Sequence, residues 1–290
     1  MRPELADLLS LMELERIEEN IFRGQTQDLG WGSLFGGHVL GQALSAATQT
    51  APADRHIHSL HAYFLRSGKV DRPIVYTVDP IRDGSSFTTR RVVAFQDEEA
   101  IFNLSASFQV QEPGLDHQVS KPMSSDPETL ASEHALAQAI SERLPPSLRS
   151  VATRRQPIEI RPVAPLDPIT PERRDARRQV WLRTPEALPD DPKIHSYLLA
   201  YASDFHLLVT AMQPHGVSWL TPGMQVTSLD HAMHFHRPFR IDDWLLYDMN
   251  SPTASGARGL VRGHIFDKQG RLVASTMQEG LVRDCRPKTG

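Results

Sequence analysis

The chain has 290 residues, 40% of them hydrophobic and 23% charged, which is typical of a globular protein and excludes a disordered one. Its formal net charge of −4 argues against a nucleic-acid-binding protein, and a single cysteine excludes a disulfide scaffold and fits a reducing compartment. No apolar run approaches the roughly 18 residues of a membrane helix. We therefore expect a cytoplasmic protein that has neither nucleic acid nor membrane as a partner.

The first 115 residues predict a unit of helices and strands. Residues 3–19 carry apolar side chains at helical spacing. A helix of small residues follows a glycine-rich stretch and ends before Pro52, and such a helix packs closely against a sheet. Turn residues separate the strand-like runs that come next, at 58–66, 73–80, 86–96 and 100–111.

A similar pattern returns after a segment of different character. Residues 116–155 predict a linker with a surface helix that starts at the capping signal Asp126-Pro127. Beyond it, residues 193–212 predict one long helix with an apolar stripe. Strands are predicted at 157–163, 177–183, 224–236, 244–250, 257–267 and 271–283. We therefore divide the chain into an N-terminal repeat (1–115), a linker (116–155) and a C-terminal repeat (156–290).

The two repeats also match in sequence. Ser59 corresponds to Ser228 and Gln109 to Gln278 at the same offset of 169 residues, which argues for an internal duplication over a chance match of short strands. Successive strands without helices between them exclude a doubly wound parallel sheet. A helix wrapped by an antiparallel sheet, twice over, predicts an α+β fold of the tandem (double) hotdog kind.

Asp204 is the first candidate for chemistry. It lies within the predicted helix 193–212, and its neighbours three and four residues away, such as Tyr201 and Leu208, are not cationic. The carboxylate is therefore either exposed on the solvent face of the helix or held by hydrogen bonds from other elements.

Ser228 and Gln278 are the other two candidates. Ser228 begins the segment SLDHAMHFHRPF within the predicted strand 224–236, on the same face as Asp230 and His234. The alternative to a role in chemistry is that this serine is a turn or capping residue. Gln278 shares an otherwise apolar face with Thr276, so its amide needs a partner, which an ordinary cross-strand hydrogen bond could supply. A carboxylate, a hydroxyl and an amide together could hold a water molecule by three hydrogen bonds.

A metal site is disfavoured by the arrangement of the histidines. On a strand, His234 and His236 share one face and His231 lies on the other, with no acidic cluster beside them. We interpret these histidines as structural or substrate-edge residues and expect neither a metal nor another cofactor.

At this point the sequence resembles the acyl-CoA thioesterase II family, the double-hotdog thioesterases. The similarity covers almost the whole chain. It is clearest in FGGHVLGQAL (35–44), HSLHAYFLRSG (58–68), RDGSSFTTRRV (82–92), YASDFHLL (201–208), LDHAMHFHRPF (229–239), DDWLLY (242–247), SPTASGARGLVRG (251–263) and LVASTMQEGLVR (272–283). The resemblance implies hydrolysis of fatty acyl-CoA to free fatty acid and coenzyme A without a metal. It also implies catalytic roles for Asp204, Ser228 and Gln278.

The implied mechanism is attack by an activated water molecule. Asp204 would accept a proton from the water while Ser228 and Gln278 orient it, and a nucleophilic Ser228 is the rival. The first repeat has Phe35 where the second has Asp204, so we expect one active site per chain. A non-catalytic acyl-CoA-binding protein and a hotdog hydratase or dehydratase remain the alternative functions.

Substrate contacts and assembly are predicted with less detail. Cations near strand ends are candidates for binding the coenzyme phosphates: Arg66, Arg90, Arg91, Arg258 and Arg262. Among them we single out Arg66 and Arg258, together with His58, as substrate-proximal residues. Hotdog sheets have edges that pair, so we expect a homodimer or homotetramer.

Overall fold

The structure is a computed structural model that describes residues 1–286. In this part of the chain the α-helices are α1 (Pro3–Met12), α2 (Gly36–Thr50), α3 (Glu133–Ala139), α4 (Pro146–Ala152), α5 (Pro192–Ser203) and α6 (Leu207–Met212). The strands are β1 (Glu15–Glu18), β2 (Ile21–Gly24), β3 (His56–Phe64), β4 (Ile74–Asp83), β5 (Phe87–Gln96), β6 (Glu99–Gln109), β7 (Glu159–Pro162), β8 (Arg177–Arg183), β9 (Met224–Ser228), β10 (Asp230–Phe235), β11 (Leu245–Ser255), β12 (Arg258–Asp267) and β13 (Leu272–Asp284). The last four residues of the predicted C-terminal repeat, 287–290, lie outside the described residues.

The strands form one continuous antiparallel sheet. Its order is β1-β2-β4-β5-β6-β3-β10-β13-β12-β11-β8-β7, and β9 pairs with β13. The order β4-β5-β6-β3 on one side of the β3–β10 seam is repeated as β11-β12-β13-β10 on the other. The internal duplication inferred from the sequence is therefore present in the topology.

Two helices cover one face of this sheet, and a third packs against the first of them. α2 packs against β4, β5 and β6 and also against α5, while α6 packs against β11, β12 and β13. α2 is buried along most of its length, which explains its small residues, because larger side chains would hold it away from the sheet and from α5. The observed architecture confirms the predicted α+β tandem hotdog.

The linker covers part of the outer face of the second repeat. Trp181 and Trp244 form a small apolar cluster on that face, against which Leu130 packs. The indole of Trp244 donates to Glu128 Oε1 at 2.8 Å, and that of Trp181 donates to the Ser125 carbonyl at 2.9 Å. The single surface helix predicted from Asp126 is wrong. A short 3₁₀ turn follows Asp126, and a new N-cap at Ser132, which accepts from Ala135 N, starts α3.

The predicted helix at the N-terminus is too long. α1 ends at Met12, and residues 15–18 of the helical pattern form β1. The strand pairs with β2, so a tertiary hydrogen-bond ladder overrides the local helical periodicity.

The predicted helix 193–212 is two helices. α5 ends at Ser203 and α6 begins at Leu207, and His206 between them has a positive φ of 70°. The Ser203 hydroxyl donates back to the Ala200 carbonyl at 2.8 Å, a local bond that competes with continued helix. The sequence predicted Asp204 within a helix. It lies instead at the break between α5 and α6.

The predicted strand 224–236 is interrupted as well. Ser228 pairs with Gly280 of β13, whereas Ala232 pairs with Met277, so the register changes by one residue around Leu229. A bulge of this kind redirects the side chains beside it. Ser228 therefore ends β9, and its predicted grouping on one face with Asp230 and His234 is wrong.

None of the helices within residues 1–286 is both long enough and apolar enough to cross a membrane.

Candidate active site

The break between α5 and α6 directs the carboxylate of Asp204 toward three hydrogen-bond donors. Oδ1 accepts from Gln278 Nε2 at 2.8 Å and from the Ser228 hydroxyl at a longer 3.4 Å. Oδ2 accepts from the backbone N–H of Gly37 at 2.9 Å. The three residues singled out from the sequence therefore lie together, around one carboxylate.

The fourth member of this group comes from the first repeat. Gly37 lies in the first turn of α2, whose N–H groups have no partner within the helix, so the Asp204 carboxylate caps another helix at the positive end of its dipole. A Cβ atom at Gly37 would lie 2.2 Å from the Tyr201 carbonyl oxygen, and one at Gly36 would lie 2.7 Å from Asp204 Oδ2. The two glycines thus allow the helices to approach closely.

Sequence reasoning did not identify the role of Gly37. The signal was the glycine pair after Phe35, at the start of a helix of small residues. The pair by itself does not indicate a role in the site, because the first repeat has Phe35 where the second has Asp204.

The surroundings of Asp204 favour its protonated form more than water does. Burial raises the pKa of this carboxyl above its ordinary value of 3.8, and the hydrogen bonds from Gln278, Gly37 and Ser228 lower it only in part. A carboxylate with a raised pKa is a better proton acceptor, and three donors keep it in a fixed orientation.

A buried histidine lies near Gln278. His231 is fully buried, and its Nε2 lies 2.9 Å from the Ser203 hydroxyl. Burial lowers the pKa of His231 to about 4, and the nearby Gln278 side chain opposes this shift only in part, so the imidazole is neutral. Gln278 Oε1 is buried and accepts no hydrogen bond from the described residues.

Aromatic side chains surround the glycine pair and the break between the helices. Phe35 stacks on Phe205 with 4.4 Å between ring centroids, and both rings meet Tyr201 edge to face. Phe64, at the end of β3, reaches to within contact distance of Gly36. Phe35 and Asp204, the equivalent positions of the two repeats, thus lie at the same junction.

The predicted substrate-proximal residues are distributed along the sheet. Arg66 follows β3 by two residues, at the end occupied by Phe64, and donates to the Ala100 carbonyl at 2.7 Å. His58 lies six residues before Phe64, which corresponds to roughly 20 Å along a strand, with its Nε2 at 2.8 Å from Ser107 Oγ. Arg258 pairs with Glu279, whose side chain points away from the face that carries Gln278.

Arg90 is not available as a phosphate ligand at the surface. Its side chain is 2% exposed, pairs with Asp83 and donates to the Thr50 carbonyl at the C-terminus of α2. It therefore complements the negative end of the helix that Asp204 caps at the positive end.

The described residues offer no constellation for a metal ion. No group of three or more histidine, cysteine or acidic side chains in residues 1–286 is arranged to bind one. His231 is directed to the core, whereas His234 is exposed on the opposite face.

Comparison with known proteins gives one consistent result. A family model described as acyl-CoA thioesterase matches residues 151–281, and one described as acyl-CoA thioesterase N-terminal domain matches 26–109. The chain is 43% identical to acyl-CoA thioesterase 2 of Haemophilus influenzae over 96% of this chain and 98% of that protein. It is 39% identical to human acyl-coenzyme A thioesterase 8 over 94% of this chain and 88% of that protein.

A solved structure supports the same assignment. An acyl-CoA thioesterase II from Mycobacterium marinum is 40% identical and superposes with a TM-score of 0.77, covering 98% of this chain and 100% of the other. Full-length similarity in both sequence and fold confirms the resemblance seen in the sequence. The chain belongs to the acyl-CoA thioesterase II family.

Proposed function

We propose that this protein hydrolyses acyl-CoA thioesters to a fatty acid and coenzyme A by direct attack of water, with Asp204 as the general base. The observation that carries the proposal is the carboxylate of Asp204, held by Gln278, Ser228 and Gly37 at the junction of the repeats. The relatives named as acyl-CoA thioesterases support the class of substrate. In this assignment catalysis belongs to the C-terminal repeat (156–290), which follows the linker (116–155), and the N-terminal repeat (1–115) supplies Gly37.

The proposed reaction has two steps. The water oxygen bonds to the thioester carbonyl carbon as one water proton moves to the Asp204 carboxylate. The tetrahedral intermediate then collapses, its carbon–sulfur bond breaks, and the proton held by Asp204 passes to the departing thiolate sulfur. Ser228 and Gln278 orient the water, and the positive end of the α2 dipole stabilises negative charge that develops nearby.

The substrate contacts and the assembly are part of the same proposal. Arg66 lies at the site end of β3 and is the strongest candidate for contact with the coenzyme phosphates, whereas His58 and Arg258 would serve more distant parts of the substrate. We propose a homodimer or homotetramer in the cytoplasm, in keeping with sheet edges at β1 and β7 that could pair with another copy and with a lone, exposed Cys285. Light scattering of the purified protein measures the oligomeric state, and fractionation of cells tests the location.

The direct test is release of coenzyme A from a series of acyl-CoA lengths by the wild type and by Asp204→Asn. The variant keeps the size of the side chain and removes the base, so kcat should fall by about 10²- to 10⁴-fold. Asp248→Asn is the matched control, because Asp248 pairs with Arg177 on the surface of the sheet and should keep full activity. Equal slow release by wild type and Asp204→Asn would instead favour a binding protein.

The route of attack is tested by a single turnover in oxygen-18 water with rapid quenching. Direct attack places the label in the fatty acid and leaves no acyl group on the protein. An acyl group trapped on Ser228 would identify serine as the nucleophile, and unlabelled fatty acid would identify attack by the carboxylate of Asp204. Either result contradicts the direct-water mechanism.

A further inference from the structure

A charged cluster outside the proposed site joins the linker to the break that presents Asp204. Glu133, the first residue of α3, places its Oε1 3.3 Å from His206 Nε2 and 3.6 Å from Arg178 Nη2. Arg178 lies on β8 and its side chain is 6% exposed, while that of His206 is 13% exposed. One carboxylate of the linker therefore contacts the second repeat at two cationic or potentially cationic side chains.

His206 has the least favourable backbone conformation at this junction. Its φ of 70° lies in the left-handed region, which is unfavourable for a residue other than glycine. His206 is nevertheless the residue from which α6 starts, and its carbonyl accepts from the N–H of Thr210 at 3.2 Å. The turn at His206 separates α6 from α5, which ends at Ser203, so the orientation of the Asp204 carboxylate between them depends on the conformation of this turn.

Glu133 is suited to stabilise the turn at His206. Burial alone would raise the pKa of this carboxyl, but His206 and Arg178 together keep the pKa below its ordinary value, so the group is ionised. The Glu133 side chain is 38% exposed, and its Oε1 lies within ion-pair distance of both His206 Nε2 and Arg178 Nη2. Arg178 Nε and Nη1, like His206 Nε2, are buried without a hydrogen-bond partner among the described residues, so the ion-pair contact with Glu133 is the main compensation for the charge of Arg178.

We propose that Glu133 is a positioning residue for hydrolysis: through His206 it stabilises the left-handed turn that aims Asp204 at Gly37 and Gln278. The inference rests on the proposed function, since the turn matters for rate only if Asp204 is the base. It gives the linker a role that neither its sequence nor its place between the repeats indicates. Glu133 itself does not touch the reacting atoms.

The test combines Glu133→Ala with a second-site substitution at His206. Glu133→Ala should lower kcat about 10-fold and leave KM within about twofold, because the base is misaligned while the substrate surface is intact. His206→Asn should restore most of kcat in the Glu133→Ala background, since asparagine adopts the left-handed conformation far more readily than most residues. Glu142→Ala, at an exposed glutamate of the same linker, is the matched control and should leave kcat unchanged.

Hydrogen exchange gives a readout that does not depend on activity. Peptides that span residues 201–210 should exchange faster in Glu133→Ala and return toward the wild-type rate with His206→Asn. Glu133→Gln, which keeps the shape of the side chain, provides the same comparison if Glu133→Ala is too unstable to purify. A purely structural contact would lower the melting temperature without changing kcat of the folded fraction.

The outcomes separate this proposal from the one on which it rests. Unchanged kcat and unchanged exchange in Glu133→Ala, with an active wild type, would overturn the role of Glu133 alone. A wild type that releases no coenzyme A would overturn the proposed function, and faster exchange in Glu133→Ala would still support the effect of Glu133 on the turn. Failure of His206→Asn to restore kcat would show that Glu133 does not act through the conformation of His206.

Discussion

The Asp204 carboxylate receives donors from three separate elements: a strand amide, a strand hydroxyl and a helix N-terminus. Because burial raises its pKa and each donor lowers it, the strength of the base is set by a balance that single substitutions can shift. The closest donor to Oδ1 is the amide of Gln278 at 2.8 Å, and the Ser228 hydroxyl at 3.4 Å is a weaker one. Gln278 should therefore have the larger influence on the pKa of Asp204.

This balance predicts a pH dependence. The deprotonated carboxylate is the base, so kcat should fall as the pH decreases through the pKa of Asp204. Gln278→Leu removes a donor that lowers this pKa, so the acidic limb of the kcat profile should move to higher pH, beyond any loss in the plateau rate. Gln109→Leu, at the equivalent position of the first repeat, should leave the limb in place. If the acidic limb of the kcat profile stays in place in Gln278→Leu, a group other than Asp204 controls that limb.

The raised pKa of Asp204 also makes the stability of the fold depend on pH, in the direction opposite to that of activity. A carboxyl whose pKa is raised by folding stabilises the folded state most below its unfolded pKa, near 3.8, and that contribution is lost as the pH rises through the folded pKa. Activity and the contribution of Asp204 to stability thus change in opposite directions with pH. A base placed for reactivity costs the protein some stability at neutral pH.

Individual residues were easier to predict than their geometry. Asp204, Ser228 and Gln278 stand out because polar side chains within apolar patterns need partners, and because their segments resemble a family. The bulge at Leu229 and the turn at His206 were not predictable, since neither glycine nor proline marks them. Both depend on contacts between elements far apart in the chain, such as Glu133 with His206.

At the scale of elements, the contact of α2 with the end of α5 controls the site. Gly37→Ala would place a Cβ atom 2.2 Å from a backbone oxygen that cannot move away, and should break the bond from Gly37 N to Asp204. We expect kcat to fall at least 10-fold and the melting temperature to drop. A Cβ atom at Gly41 on the same helix would lie 2.9 Å from the flexible Met12 Sδ and 3.2 Å from the Tyr197 carbonyl oxygen, a milder contact than that of Gly37, so Gly41→Ala should cost much less. Wild-type kcat in Gly37→Ala would contradict this role for the contact.

The other end of α2 makes a prediction about stability. Buried Arg90 donates to the Thr50 carbonyl at 2.9 Å and to Thr50 Oγ1 at 3.1 Å, which are charged hydrogen bonds at a helix C-terminus. Arg90→Met should lower the free energy of unfolding by about 2–3 kcal/mol in denaturant titrations. Arg91→Met removes an exposed pair with Asp79 and should cost less than about 1 kcal/mol. Equal losses in the two variants would show that the cap contributes little.

Elements of regular period were predictable, and elements that depend on partners were not. The four-strand sets of both repeats and the small-residue helix α2 follow from alternation and composition. β1 has the period of a helix but pairs with β2, and α6 continues the stripe of α5 but packs on β11, β12 and β13, whereas α5 packs mainly on α2. Periodicity identifies the buried face of a segment, but it cannot show which neighbour that face will meet.

The whole molecule is organised around the seam between the repeats. β3 and β10 pair directly, Leu60 opposite Met233, and both side chains are fully buried. One apolar core extends across this seam, and the proposed site takes Gly37 from one repeat and Asp204, Ser228 and Gln278 from the other. Neither repeat alone has all of these groups, so activity should require both to be folded together.

The continuous core predicts that the repeats unfold as one unit. Leu60→Ala leaves a cavity at the seam and should cost about 2–5 kcal/mol. Tryptophan fluorescence reports mainly on the second repeat, which holds Trp181, Trp219 and Trp244, whereas far-ultraviolet circular dichroism reports on both. The two probes should show one shared transition, shifted equally by Leu60→Ala, and Leu115→Ala at an exposed position should shift neither. A fluorescence midpoint that stays in place while the dichroism midpoint falls would show that the repeats unfold independently.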